Sequence, residues 1–170
     1  MRVDDIYEEK ILSKWNAGLL GTATALLFLA FAYQTLFGPI GTRPAPDWFF
    51  LIMSLFFLGL AINFSRLEIR ITPESIVVGY GIIKRATPRE DIEDCYLDKT
   101  SAVSYLGWGI RLTRLGGKWR LVYNIIGSPR LVLLLKKGRF KELAFSTKNP
   151  EKVMALIKQW IAPQDLSRQT

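Results

Sequence analysis

The sequence predicts a membrane α-helical hairpin followed by an all-β domain of about seven strands, which is capped by a C-terminal α-helix. Two long uncharged runs stand near the start of the chain, the hydrophobic pattern then changes to short alternating stretches, and a segment near the end has the period of an amphipathic helix. The chain has 170 residues, a formal net charge of +8 and a hydrophobic fraction of 49%. These values suit a membrane-anchored domain with a basic surface.

Both uncharged runs are long enough to be membrane spans. Residues 17–37 form a helix of about 31 Å, close to the thickness of a bilayer core. Residues 48–64 are near the lower limit of length for a helix that crosses a bilayer. Trp48 at the start of this run and Arg66 just past its end can extend the length that it spans. The linker, residues 38–47, is rich in glycine and proline and cannot continue a helix. Buried core helices, or a signal peptide for the first run, are the alternatives that these runs leave open.

Basic residues predict the orientation of the hairpin. They flank its two open ends at Lys10, Lys14, Arg66 and Arg70, whereas the linker holds only Arg43. By the positive-inside rule, both termini lie in the cytoplasm, and residues 1–16 form a cytoplasmic N-terminal segment. The expected location is therefore the cell (plasma) membrane, with a multi-pass topology.

A stripe of small residues marks one face of the first span. Ala17, Gly21 and Ala25 recur every four residues, which lets a neighbouring helix approach closely. We interpret this stripe as a transmembrane packing face. The second span is the favoured partner because it is already tethered, and another subunit is the alternative.

A basic β domain follows the hairpin. From Arg66 onward the chain has 19 basic and 10 acidic residues, a net charge of +9. Residues 67–71 and 92–97 alternate as strands do, and Gly116 and Gly117 are typical of a tight hairpin turn. We expect residues 66–162 to fold as an independent domain, with residues 163–170 as a polar tail.

The closing helix has clear start signals. Asn149 suits the N-cap position, Pro150 the first helical position and Glu151 the positive end of the helix dipole. Helical spacing predicts a core-facing stripe of Val153, Leu156, Ile157 and Trp160.

Several stretches carry a family resemblance: "LEIRITPESIVVGYGII", "TPREDIEDCYL", "YLGWGIRL" and "LVLLLKKGRFKELAFSTKNPEKVMALI". The chain resembles the prokaryotic PH-like (pleckstrin-homology-like) families in which a two-helix membrane hairpin precedes the domain. The resemblance implies a partly open barrel plugged by the helix, with a binding or scaffolding role. Phosphoinositide-binding PH domains carry bases around the first hairpin turn. Here that turn is Thr72-Pro73-Glu74, so headgroup recognition by that route is not expected.

The sharpest local feature is a basic turn, formed by Lys136, Lys137, Arg139 and Lys141. We interpret it as a contact with anionic lipid headgroups, to which each base near the surface contributes about 1 kcal/mol. An ordinary solvated turn is the alternative.

A second basic stretch also contains aromatic residues. We interpret its bases Arg111, Arg114 and Arg120 as a solvated face, and Trp108 and Trp119 as barrel wall, rather than the whole stretch as a nucleic-acid surface.

Other chemistry has weaker support. The acids of residues 90–98 suggest a site for a hard cation, with the wet face of a strand as the alternative. Ser101 and Ser104 near Lys99 lack an oxyanion hole, and Cys95 is interpreted as a packed thiol. Without a histidine, the chain lacks the commonest general base and metal ligand.

These observations predict a membrane-anchored PH-like module that engages a protein partner or anionic lipid. We expect no catalytic residues, no metal site, no cofactor and no nucleic-acid partner. An assembly factor for a membrane complex is the alternative in the same class. A metal-assisted enzyme that uses the acidic segment is the rival class.

Overall fold

The computed structural model describes residues 6–100, 107 and 109–162. They form three α-helices, nine β-strands and one short 3-10 turn at Arg89–Asp91. The chain order is β1 (Tyr7–Leu12), α1 (Lys14–Phe37), α2 (Asp47–Phe64), β2 (Arg66–Ile71), β3 (Ser75–Tyr80), β4 (Ile83–Pro88), β5 (Ile92–Leu97), β6 (Gly109–Leu115), β7 (Lys118–Asn124), β8 (Arg130–Leu135), β9 (Glu142–Ser146) and α3 (Pro150–Ile161).

The two long helices coincide closely with the predicted spans. α1 begins three residues before the predicted run, and α2 begins one residue before it. Both helices are long and apolar enough to cross a membrane, and only 6% of the most apolar window of each is buried inside the chain. The interpretation as buried core helices is therefore wrong for this chain, since only Asn16, Gln34 and Ser54 of the two helices are buried.

The β domain consists of two sheets that do not close into a barrel. One has the order β1-β2-β3-β4, and the other has the order β5-β8-β9-β7-β6. All neighbouring strands are antiparallel except β7 and β9. The prediction of about seven strands is too low, because the described residues contain nine. The clearest omission is β1, which lies before the first helix, where the sequence analysis assigned no strand.

The inner faces of the two sheets and one face of α3 form the hydrophobic core. Val153 and Ile157 of the predicted stripe are fully buried. Trp160 is only half-buried: its indole Nε1 donates to the Pro73 carbonyl at 3.2 Å, and its ring lies 5.5 Å from the Arg89 guanidinium. The middle of α3 therefore closes the core, and Trp160 near the end of the helix covers the margin of the core beside Pro73 and Arg89.

Candidate membrane-surface site

The helical hairpin joins the β domain without a flexible linker. Leu12 of β1 pairs with Arg66 of β2. The pairing continues to Ser13 and Ser65, because the Ser13 N–H donates to the Ser65 carbonyl at 2.7 Å. One turn further, Asn16 Nδ2 donates to the Phe64 carbonyl at 3.2 Å. The two helices thus leave from adjacent antiparallel strands, which fixes their direction relative to the sheet.

The β3–β4 turn is attached to the end of α2. The backbone N–H of Ile82 donates to Asn63 Oδ1 at 2.8 Å. Gly81 has φ +46°, and a Cβ at this position would collide with the side chain and carbonyl of Asn63. Only glycine combines this backbone conformation with so close an approach. The turn therefore lies against the junction between hairpin and sheet.

Three aromatic rings connect α2 to both sheets. The Phe64 and Tyr80 centroids are 5.6 Å apart, and those of Tyr80 and Tyr123 are 6.4 Å apart. The Tyr80 hydroxyl donates to the Asn124 carbonyl at 2.8 Å, and burial raises the pKa of this hydroxyl well above its usual value. Tyr80 is therefore a neutral hydrogen-bond donor that bridges the two sheets beneath the hairpin.

Two cavities flank the junction. A groove of about 660 Å³ opens on one side, and Lys10, Ala17, Ala61, Asn63, Arg66 and Glu68 are among its lining residues. A smaller cavity of about 270 Å³ lies on the other side, with Asn16, Leu20, Leu60, Phe64, Ile110 and Arg111 in its lining. Each cavity combines apolar helix residues with basic residues from the β domain.

The charges at the junction are partly paired. Lys10 Nζ lies 2.7 Å from Glu8 Oε1, and this hydrogen bond lowers the pKa of Glu8. Glu68 is bound by Arg70 and Lys84. Other bases at the junction have no ion pair within the described part of the chain: Lys14, Arg66 and Arg111. No described carboxylate therefore neutralises these three positive charges.

The predicted basic turn lies at the other end of the β domain. Its four bases are exposed, as predicted. The Lys136 N–H donates to the Asp91 carbonyl at 2.9 Å, and Lys136 shares a cavity of about 390 Å³ with Pro73 and Glu74 of the β2–β3 turn. That turn is about 20 Å along β2 from Arg66 and the hairpin. Contact of the basic turn with lipid stays a prediction, and its position favours the junction bases for that role.

The predicted small-residue stripe lies at the margin of the contact between α1 and α2. Ala17 and Gly21 are half-buried and Ala25 is exposed. A Cβ added at Gly21 would meet no atom of another element within 4 Å. The helices are joined elsewhere: Ser54 Oγ donates to the Thr24 carbonyl at 3.2 Å, for example. In the single chain, Gly21 is thus not in close contact with α2, and packing of the stripe against a neighbouring helix stays a prediction.

A buried ion network on the second sheet was not predicted. Arg120 Nε lies 2.6 Å from Glu142 Oε2, and Arg130 Nε lies 3.0 Å from Asp98 Oδ2. Arg120 Nη1 is also 3.6 Å from Asp98 Oδ1, and its Nη2 is 3.1 Å from the Tyr96 hydroxyl. The prediction that Arg120 belongs to a solvated face is wrong, since its side chain is only 7% exposed. Arg111 and Arg114 are exposed as predicted.

The acidic segment does not converge on one point. Glu93 and Asp94 are exposed on β5, and Asp98 belongs to the ion network. Within the described ranges, no group of three or more His, Cys, Asp or Glu side chains is placed to hold a metal ion. Ser101, Ser104 and Trp108 lie outside the described residues.

Cys95 is the packed thiol that the sequence predicted. It is fully buried, and its Sγ lies 3.7 Å from the Met154 carbonyl of α3. Burial raises the pKa of the thiol to about 11. A thiol that stays protonated at neutral pH is a poor nucleophile.

The β6–β7 hairpin presents exposed apolar side chains at the edge of the second sheet. Leu112 is 55% exposed, and Trp119, which was interpreted as barrel wall, is 42% exposed. Arg111, Arg114 and Lys118 are exposed around them. Among the described strands, β6 pairs only with β7, so its other edge is not paired with a described strand.

Comparison with models of protein families gives no match, and no curated protein and no solved structure matches the chain significantly.

Proposed function

We propose that this protein is an integral membrane protein whose α1–α2 hairpin spans the cell membrane and holds a PH-like β domain at the cytoplasmic face. The domain acts there as a binding module for a protein partner. The observation that carries this proposal is the rigid junction, in which both helices continue from paired strands. A domain held this way has one orientation to the membrane, as a scaffold requires.

The strand order supports the PH-like part of the proposal. If the β6–β7 hairpin is treated as an insertion, seven strands remain. These are β1-β2-β3-β4 and β5-β8-β9, in which all sequence neighbours within each sheet pair antiparallel. The amphipathic helix α3 follows them and packs on β5 and β8. Two sets of antiparallel strands followed by one helix support a PH-like domain, although β1 lies before the predicted range and "YLGWGIRL", which carries part of the resemblance, runs into the extra hairpin.

The inserted hairpin is the best surface for the partner. Interface cores are enriched in aromatic residues and arginine, and Trp119 lies opposite Arg114 in the β6–β7 pair. The basic rim favours an acidic partner. The edge of β6 that faces away from β7 has no described strand beside it, and an added strand there would be a common mode of peptide recognition.

Site-specific photo-crosslinking in native membranes tests this proposal. A photoreactive amino acid replaces Leu112 in one variant and Lys137, at the exposed basic turn, in a matched control. We expect a discrete protein adduct from position 112, and loss of that adduct when Arg114→Glu is added.

Reporter fusions test the topology of the hairpin. Fusions at Met1 and at Thr170 are both expected to lie in the cytoplasm.

Two results would contradict the proposal. Equal adducts from both positions would mean that the β6–β7 hairpin is not a specific surface. A reporter on the outer side at either end would mean that the hairpin does not present the domain to the cytoplasm.

A further inference from the structure

We propose that the β3–β4 turn, residues 81–83, inserts into the bilayer interface beside α2, with the Ile82 side chain among the lipid acyl chains. The inference rests on the proposed function in one respect, namely that α1 and α2 span the membrane. It adds a second, shallow attachment between the domain and the lipid, which fixes the tilt of the domain about the hairpin.

The exposure of Ile82 is the first reason. Its side chain is 92% exposed, the highest value for any large apolar side chain in the described residues. Ile83 beside it is 45% exposed, and Leu12 at the same end of the sheet is 51% exposed. Exposed apolar groups gathered at one end of a domain mark a binding surface.

The attachment of the turn to α2 sets its depth. The Ile82 N–H is bonded to Asn63, in the last turn of α2. α2 has 18 residues and is about 27 Å long, slightly less than a hydrocarbon core of about 30 Å. With Trp48 at the far interface, the level of Asn63 is the boundary between acyl chains and headgroups.

The neighbouring helix surface identifies lipid as the occupant. Ile62, next to Asn63, is 68% exposed on the face of α2 that would contact lipid. Trp15 in the first turn of α1 is 63% exposed, where a tryptophan suits the interface. The apolar β3–β4 turn lies beside this exposed helix surface and enlarges it. A short span is also helped by apolar residues that extend its hydrophobic belt.

Fluorescence of the full chain in anionic vesicles tests the inference. Ile82→Cys, Leu112→Cys and Leu55→Cys are each labelled with an environment-sensitive dye. Cys95 is buried, so the parent chain serves as a blank. Leu112 is a matched exposed apolar residue on a β-hairpin, and Leu55, 58% exposed in the middle of α2, reports spanning. Lipids with a nitroxide on the upper acyl chain quench any dye at the boundary.

We expect a blue-shifted, strongly quenched signal from position 82 and a water-like, unquenched signal from position 112. A water-like signal at 82 with a blue-shifted signal at 55 would overturn the inference while the hairpin still spans. A blue shift at 82 without lipid quenching would also overturn it, in favour of contact with a second copy. A water-like signal at both 55 and 82 would overturn the proposed membrane span as well.

Discussion

The carboxylate of Glu9 in β1 accepts a hydrogen bond of 2.6 Å from the hydroxyl of Thr147, which lies 138 residues later in the chain. The same carboxylate accepts the Lys148 N–H at 2.8 Å and the Tyr7 hydroxyl at 3.0 Å. Glu9 is only 8% exposed. The segment before the helical hairpin is therefore bonded to the turn that leads into α3, which ties the two ends of the β domain together.

Removal of this carboxylate should destabilise the β domain. Glu9→Ala leaves the Thr147 hydroxyl and the Lys148 N–H without their acceptor, which costs about 1–3 kcal/mol in the free energy of unfolding. Glu9→Gln keeps an acceptor oxygen and should cost less. Denaturant unfolding of the chain in detergent measures the difference. Glu8→Ala, which removes the ion pair with the exposed Lys10 on the same strand, is the matched control and should cost less than Glu9→Ala. Equal losses at positions 8 and 9 would contradict this role of Glu9.

The register of β1 on β2 predicts that the hairpin can be replaced by a tight turn. Ser13 and Ser65 are hydrogen-bonded neighbours, so an Asn-Gly turn in place of residues 14–64 should close an ordinary two-residue hairpin. The product is expected to be soluble and to unfold in one cooperative transition. A chain that begins at Arg66 lacks β1 and Glu9 and should be clearly less stable. If both shortened chains unfold at the same denaturant concentration, β1 contributes nothing to the domain.

Local patterns in the sequence predicted the elements that depend on local chemistry. Gly116 and Gly117, both with positive φ, form the predicted tight turn, and β5 has the predicted bounds. β1 was missed because its segment, "YEEKIL", has charged residues on both faces: Glu9 lies between Tyr7 and Ile11 on one face, and Glu8 and Lys10 share the other face with Leu12. Its pairing with β2 spans the whole hairpin, and no local pattern indicates such a contact.

The buried ion network is a second feature that the hydrophobic pattern of the sequence does not predict. Alternation predicts that Arg120, between Trp119 and Leu121, faces water. In the structure both faces of β7 are covered, since Val122 on the Arg120 face is fully buried. A strand that is buried on both faces is typically a continuous apolar run. When such a strand contains a single arginine, alternation wrongly predicts that this residue faces water. The apolar residues on both faces of the neighbouring β8 were the available signal.

The network should respond more strongly to a broken pair than to a removed pair. Arg120→Ala leaves the buried Glu142 without its charge partner and should cost about 3–5 kcal/mol in the free energy of unfolding. The double variant Arg120→Met with Glu142→Leu removes both charges and should regain much of that loss. Thermal unfolding of the three chains provides the comparison. Arg114→Ala on the exposed face is the control. A double variant as unstable as Arg120→Ala would contradict charge pairing as the cause.

Stability should fall at alkaline pH in a way that depends partly on Cys95. Burial raises the pKa of this thiol from 9.0 to about 11 in the folded protein. Between these values the unfolded chain binds fewer protons than the folded chain, so the free energy of unfolding decreases as pH rises. Below pH 9 both states are protonated and this contribution is complete. Cys95→Ala should flatten the decline over that range, and a residual decline should come from Tyr80 and Tyr123, whose pKa values burial also raises. Parallel pH profiles for the parent and Cys95→Ala would show that the thiol does not titrate differently on folding.

A matched pair of glycine substitutions tests the contact between the β3–β4 turn and α2. Gly81 and Gly116 both have positive φ, +46° and +56°, so alanine at either position carries a backbone cost of roughly 1–2 kcal/mol. A Cβ at Gly116 meets nothing within 4 Å, whereas one at Gly81 collides with Asn63. Gly81→Ala should therefore reduce the free energy of unfolding more than Gly116→Ala does. It should also break the Ile82–Asn63 hydrogen bond, which faster hydrogen exchange at the Ile82 amide would report. Equal losses at the two positions would mean that the turn moves freely away from α2, and the junction would then be held by the β1–β2 pairing alone.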